Sequence, residues 1–161
     1  MSTKKVLDEM NDQIQRELDS AYIYLSMAAY FDGLNMPGFA HWMKKQFQEE
    51  QEHAMKFYEY IYDRGGEVKL QPLTQPPVEF DSPLAAFEIT LAHEKKITGH
   101  INDLYALAVA EKDYASQVLL HWYIEEQVEE EKNAGDILDI LKKASGNFQA
   151  LRMLDRELGQ R

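Results

Sequence analysis

The sequence contains no cysteine. That excludes disulfide bonds, thiolate nucleophiles and every cysteine-ligated metal or iron–sulfur centre. It has no apolar run long enough to cross a bilayer. Its opening residues, MSTKKVLDEM, lack the apolar stretch of a secretory signal, so a cytoplasmic protein is expected. Positive charge is scarce too: 17 Lys and Arg stand against 28 Asp and Glu, a formal net charge of −11. Phosphate backbones need a Lys/Arg footprint, so no nucleic-acid partner is expected. Breakers are few, with 8 Gly and 5 Pro in 161 residues. There is no repeat of solenoid period and no low-complexity tract.

These absences leave long uninterrupted segments. Hydrophobic residues make up 45% of the chain, enough for a core, and a single domain over 1–161 is expected. The breakers divide it into helices. The first is expected over about 4–33, with an apolar stripe of Leu7, Met10, Ile14, Leu18, Ala21, Leu25 and Ala28 at steps of three and four. Pro37 suits the first turn of a second helix, which runs to about Arg64 and stops at Gly65-Gly66. Residues 67–81 form a Pro-rich connection. Ser82 and Pro83 then open a third helix, and a fourth is expected from about Asp113 to Ser145. A short fifth, about 147–158, shows Phe148, Leu151, Leu154 and Leu158. The reading is all-α: a four-helix bundle over about 4–145 with one long crossover, where cytokine-type bundles have two.

Against this apolar periodicity one residue type is out of place. Glu17 falls between Ile14 and Ala21, Glu50 between Phe47 and Ala54, and Glu94 between Leu91 and Thr98. Gln127 and Glu130 fall between Tyr123 and Ala134. Each long helix therefore carries a carboxylate on its inward stripe near mid-length. A buried ionised carboxylate is costly unless paired or bound to a cation, and like charges cannot satisfy one another. Bound cations resolve the conflict. Glu50 and His53 share a face as an i, i+3 pair, the Glu-x-x-His device of di-iron and di-manganese bundles. A second such pair is missing; helix four offers Gln127-Val128-Glu129-Glu130 instead. His41, His93, His100 and His121 read as surface or capping groups. Tyr24 lies two turns after Glu17, and Trp122 lies beside the acidic run of helix four. Both have packing as their ordinary role and a place beside the metals as the alternative.

The segments NDQIQRELDSAYIYLSMAAYF, GFAHWMKKQFQEEQEHAMKFYEYIYDRGG, AHEKKIT and LLHWYIEEQVEEE together resemble the bacterial and archaeal non-haem ferritins over almost the whole chain. The resemblance implies the ferritin-like bundle with its short fifth helix. It also implies a hollow cage of 24 subunits and oxidation of Fe(II) by O2 or peroxide, with the ferric product stored as mineral. By position, Glu17, Glu50 and His53 would hold a first iron. Glu50 would bridge to a second iron served by Glu94, Glu130 and Gln127. Glu49, Glu126, Glu129 and Glu130 match a third site. Tyr24 matches a tyrosine beside the centre, and Trp122 a nearby aromatic. Bacterioferritins place a haem-ligating Met directly after the first Glu; here Gln51 follows Glu50, so haem is not expected. Two rival readings remain: a di-iron oxygenase with an apolar substrate chamber, and a metal-buffering bundle without redox chemistry.

Overall fold

The computed structural model describes residues 2–161; Met1, which the expected 1–161 domain includes, lies outside them. Five helices follow in order: α1 (Ser2–Gly33), α2 (Pro37–Asp63), α3 (Pro83–Ala110), α4 (Tyr114–Lys143) and α5 (Phe148–Leu158). The described residues form no strand. The bundle and the short fifth helix are those expected, with α1 beginning two residues earlier than its periodicity suggested.

Local chemistry sets the ends. Pro37 occupies the first turn of α2, where its missing N–H costs nothing. The Ser82 side chain accepts from Ala85 N at α3, the Asp113 side chain from Ser116 N at α4, and the Asn147 side chain from Ala150 N at α5. Each such cap contributes about 1 kcal/mol. Gly65, with φ of 73°, ends α2 in the left-handed region that a side chain disfavours. Gly38 is required for a different reason. A Cβ there would lie 1.5 Å from the Asp155 carbonyl oxygen, so only glycine lets α5 reach the start of α2. Asp155 Oδ1 then accepts from Phe39 N at 2.9 Å, giving a first-turn N–H of α2 its partner.

Helices α1 and α2 form one hairpin, and α3 and α4 another. The crossover between them runs along α1: Asn11 binds Glu67 and Lys69, Gln71 donates to Asp12, Thr74 N donates to Asp19, and Ser26 donates to the Pro77 carbonyl. It thereby carries the chain from the end of α2 back to the far end of α1. Helix α3 starts there and descends antiparallel to α1.

Two apolar clusters fill the bundle. One is built around Phe31, Phe39, Met43, Phe87, Leu141 and Leu154, with the Phe31 and Phe39 rings stacked at 4.9 Å. The other gathers Met10, Ile14, Phe57, Ile101, Leu104 and Tyr123, with Phe57 and Tyr123 stacked at 4.0 Å. Each large buried side chain contributes roughly 1.5–3 kcal/mol. Between the clusters lies a polar layer, which contains the carboxylates singled out above.

Two stripe residues do not face inward. Leu25 is 40% exposed, because Tyr24 takes the inward place on that turn of α1. Phe148 is 70% exposed at the first residue of α5, where only Leu154 and Leu158 are buried.

Candidate metal centre

The polar layer draws one carboxylate from each long helix. Glu17 of α1 is 0% exposed, Glu50 of α2 and Glu94 of α3 are each 1%, and Glu130 of α4 is 4%. His53 and Gln127 are buried with them. Three sets of ligand atoms lie close enough to share a cation: Glu17, Glu50 and His53; Glu50, Glu94 and Glu130; and His53, Glu126 and Glu130. Glu50 belongs to the first two sets. It lies between them as a bridging carboxylate would.

The electrostatics favour a cation. Burial raises the Glu17 pKa well above the carboxylate range, and repulsion from Glu50 raises it further. Glu50 is raised likewise by burial and then by Glu94. Burial raises Glu94, although hydrogen bonds from Tyr24 and Gln127 oppose the shift. Glu130 is pushed up to about 8 by burial and then by Glu94. Burial raises all four acids, and a neighbouring glutamate of the layer adds to the shift at Glu17, Glu50 and Glu130, so the layer favours protons or cations over bare carboxylates. Among the described residues two buried side-chain atoms have no hydrogen-bond partner: Glu17 Oε2 and His53 Nδ1. They face each other at 3.9 Å, and His53 Nδ1 lies 3.2 Å from Glu50 Oε2. A cation accepting all three atoms would satisfy both orphans at once. Carboxylate oxygen with one imidazole nitrogen is a hard, oxygen-rich donor set that suits iron.

The surrounding groups hold these ligands in place. Gln13 Nε2 donates to Glu17 Oε1 at 3.1 Å, and Gln46 Nε2 donates to Glu130 Oε2 at 2.9 Å. Gln127 Nε2 meets Glu94 Oε2 at 3.2 Å and Thr98 Oγ1 at 3.1 Å, so its amide nitrogen is committed to positioning Glu94. Tyr24 donates its hydroxyl to Glu94 Oε1, and burial raises its own pKa. Tyr123 donates to the His53 carbonyl at 2.6 Å. Gln13 and Gln46 were not picked out from the sequence. A signal existed: each lies four residues before an inward glutamate, and so one turn away on the same face.

The acidic run of α4 is divided by its neighbours. Glu126 Oε1 lies 3.9 Å from His53 Nε2, opposite the nitrogen that faces Glu17. Glu129 is exposed and joins none of the three ligand sets. Glu49 is half-buried and paired with Arg161 at 2.8 Å. The Trp122 ring meets His53 edge-on at 5.4 Å, with Lys56 Nζ 3.7 Å from its centroid.

His93 departs from the surface role expected of it. It is half-buried between α1 and α3, with Nε2 2.6 Å from Ser20 Oγ and its ring edge-on to Tyr24 at 6.2 Å. Burial lowers its pKa to about 4, helped by Lys96, so it packs there as a neutral imidazole. His121 is exposed and pairs with Tyr105 at 3.2 Å, and His41 meets the Arg161 carbonyl at 3.0 Å.

A long-helix bundle with one crossover and buried Glu and His drawn from its four helices is the architecture in which carboxylate metal sites are built. Comparison with known proteins narrows the class. The ferritin-like domain family matches residues 7–144. The bacterial non-heme ferritin of Bacteroides fragilis is 40% identical over 161 residues, all of both chains. That of Staphylococcus aureus is 35% identical, covering 100% of this chain and 97% of its own. Among solved structures, the open-pore ferritin of the hyperthermophilic archaeon Archaeoglobus fulgidus superposes with a TM-score of 0.97 at 48% identity. The match covers 98% of this chain and 97% of that one. An engineered closed form of the same ferritin gives 0.96 at 48% identity over 98% and 96%. The chain belongs to the ferritin family.

Proposed function

We propose that the chain is an iron-storage ferritin with ferroxidase activity, working in the cytoplasm as a hollow cage of 24 copies. Fe(II) is both substrate and cargo. The carrying observation is the pair of orphaned buried atoms, Glu17 Oε2 and His53 Nδ1, converging within a ring of four buried glutamates.

Glu17, Glu50 and His53 bind one Fe(II). Glu50 bridges to a second held by Glu94 and Glu130, with Gln127 orienting Glu94 through its amide nitrogen. Binding two cations releases protons from carboxyl groups whose pKa values are raised by burial and by one another. Each Fe(II) then gives up one electron. O2 takes both electrons with two protons and leaves as hydrogen peroxide; where peroxide is the oxidant, two electrons and two protons convert it to two waters. Paired oxidation avoids release of one-electron oxygen products. Tyr24, hydrogen-bonded to Glu94, stands beside the reacting pair with its proton held. A third Fe(II) is assigned to Glu49, Glu126, Glu129 and Glu130; the nearness of Glu126 to His53 and Glu130 supports that placement. The ferric product moves on and accumulates as oxyhydroxide mineral. The net negative charge steers cations toward the protein.

An oxygenase needs an apolar chamber beside its metals. Open pockets of about 610 and 490 Å³ lie between the α1–α2 turn and α5, and near the start of α1, and a smaller one of about 190 Å³ lies among Leu18, Ala21, Phe47 and Leu73; none of the three is lined by a proposed ligand. The test is aerobic loading. The expected result is rapid Fe(II) oxidation with uptake far beyond three iron atoms per chain, in a particle whose native mass is a multiple of the 18.7 kDa chain. Uptake that stops at the stoichiometry of the sites would overturn storage. Binding without oxidation would leave a metal buffer.

A further inference from the structure

Arg161 lies three residues beyond the end of α5, yet its side chain returns to α2. Nη1 donates to the Trp42 carbonyl at 3.2 Å. Nη2 donates to Gln46 Oε1 at 2.5 Å and to Glu49 Oε2 at 2.8 Å. The guanidinium lies over the Trp42 ring, 4.7 Å from its centroid. His41 Nε2 meets the Arg161 carbonyl at 3.0 Å, so backbone and side chain are both held by one face of α2. Both Nη groups of the fork thus engage neighbouring acceptors on α2, with an aromatic stacked beneath them.

The contact reaches the metal centre by two routes. Glu49, which the proposed function assigns to the third iron, is held directly. Gln46, 1% exposed, is held through its carbonyl oxygen, which forces its amide nitrogen toward Glu130 Oε2 at 2.9 Å. Arg161 therefore decides which end of the Gln46 amide faces a ligand carboxylate.

We propose that Arg161 is a built-in counter-ion latch. It holds Glu49 while the third site is empty and gives it up when a divalent cation arrives. The inference rests on the third-site reading above. A guanidinium and a divalent cation repel at ligand distances, so Glu49 serves one or the other. A site whose ligand is mostly engaged elsewhere binds with an apparent affinity reduced by the free fraction. The latch thus makes the third ion the weakest bound, and that ion fills after the buried pair. Its departure also frees the segment after α5 from α2 and removes the cation from Trp42, so occupancy of the site is signalled at the surface of the subunit.

The test uses Zn(II), which is redox-inert and does not itself quench tryptophan. Cation-free protein is titrated by calorimetry as parent, Arg161→Gln, Arg161→Lys and Glu49→Gln. The expected third equivalent per chain binds about fivefold tighter in Arg161→Gln, from the free fraction that a surface ion pair with good geometry leaves. Arg161→Lys falls between, since lysine keeps the charge but loses the fork. Glu49→Gln loses the third equivalent. In a Trp122→Phe background Trp42 is the sole tryptophan, and its emission shifts with the third equivalent when Arg161 is present but not in Arg161→Gln. Equal affinity of a third ion in parent and Arg161→Gln overturns the latch alone. Absence of a third equivalent from the parent overturns the third-site reading, and the latch with it.

Discussion

Two buried charge clusters in this bundle are built on opposite principles. At one end, Asp113 is 5% exposed and accepts from Arg64 Nη1 at 3.0 Å, Ser116 Oγ at 2.8 Å and Ser116 N at 3.2 Å. Burial alone would raise its pKa, but the hydrogen bonds from Ser116 and Arg64 hold it below its ordinary value. At mid-length, Glu17, Glu50, Glu94 and Glu130 are as deeply buried, yet they are gathered around one imidazole with no Lys or Arg ion pair, and their pKa values are raised. The first cluster is complete as folded: opposite charges and every acceptor engaged. The second is incomplete, with like charges and two atoms left over. A cluster of the first kind needs nothing further; one of the second kind costs stability until a cation compensates it, which is the role the proposed function gives it. The comparison predicts which substitutions damage function, which damage the fold, and which improve the fold at the expense of function.

The largest effect is expected at the ligands. Glu50→Ala or His53→Ala should slow Fe(II) oxidation by at least about 100-fold, since loss of an outer-sphere partner alone commonly costs about 10–100-fold in metal affinity or activity. Circular dichroism should show the helices unchanged, because neither residue is paired with a permanent opposite charge. Stopped-flow absorbance on mixing with air-saturated buffer measures the rate; oxidation at the parental rate would remove either residue from the ligand set.

Asp113→Ala should do the reverse, sparing oxidation and weakening the fold by about 2–3 kcal/mol. Removing one partner of a fully buried pair costs about 3–5 kcal/mol. The Arg64 side chain is 25% exposed and can be partly solvated, which lowers that figure. Loss of the α4 cap then adds about 1 kcal/mol. Thermal unfolding of cation-free protein measures it, and a change below about 0.5 kcal/mol would mean that the cluster is a surface pair in effect.

The two clusters also differ in how much of them was legible in the sequence. The inward glutamates stood out because an ionisable residue breaks an apolar period, and the break is visible without knowing the partner helix. Pro37, Ser82-Pro83 and Gly65 marked helix ends for equally local reasons. What stayed hidden depends on contacts between distant residues. Nothing in the local pattern joins Gln46 to Glu130, Arg64 to Asp113 or Arg161 to Glu49, which are 84, 49 and 112 residues apart. His93 was misplaced for the same reason: its cover comes from Ser20 and Tyr24 on another helix. Leu25 was misplaced by a choice between adjacent positions, where the period alone allows Tyr24 or Leu25 to face inward.

A smaller effect, of opposite sign, is expected from Glu17→Gln. Glu17 Oε1 already accepts from Gln13, and an amide can keep that bond. Its nitrogen then replaces the orphaned Oε2 and can donate toward Glu50. Cation-free protein should gain about 1–2 kcal/mol, since the amide is neutral without the proton uptake that burial forces on the acid. Adding Zn(II) should reverse the ranking, because the parent binds the first ion better and gains more from occupancy. Glu94→Gln is a poorer choice for this experiment, since both of its oxygens already accept from donors. Melting curves with and without Zn(II) decide the point; a destabilised cation-free Glu17→Gln would make Glu17 a structural acceptor instead.

The smallest effect is in the pH dependence, where the clusters have opposite signs. Asp113 has a depressed folded pKa, so its contribution is present above its ordinary 3.8 and is lost as pH falls through the folded value. Glu130 has a raised one. Its contribution is fully present below the ordinary 4.5 and is lost as pH rises toward about 8, because the unfolded chain releases the proton first. Cation-free protein should therefore lose stability across that upper window, and Glu130→Gln, which cannot titrate, should lose less. The difference between the two slopes should stay under about 1 kcal/mol, since Glu50 and Glu94 titrate with Glu130 and take over part of the proton it no longer carries. Saturating Zn(II) should abolish the difference, as the cation removes the need for protons at the centre. Melting temperatures of chelator-treated parent and variant at about pH 5 and about pH 8 supply the comparison. A parent that gains stability over that interval would mean that the four glutamates are ionised and compensated without a cation, and the contrast between the two clusters would fail.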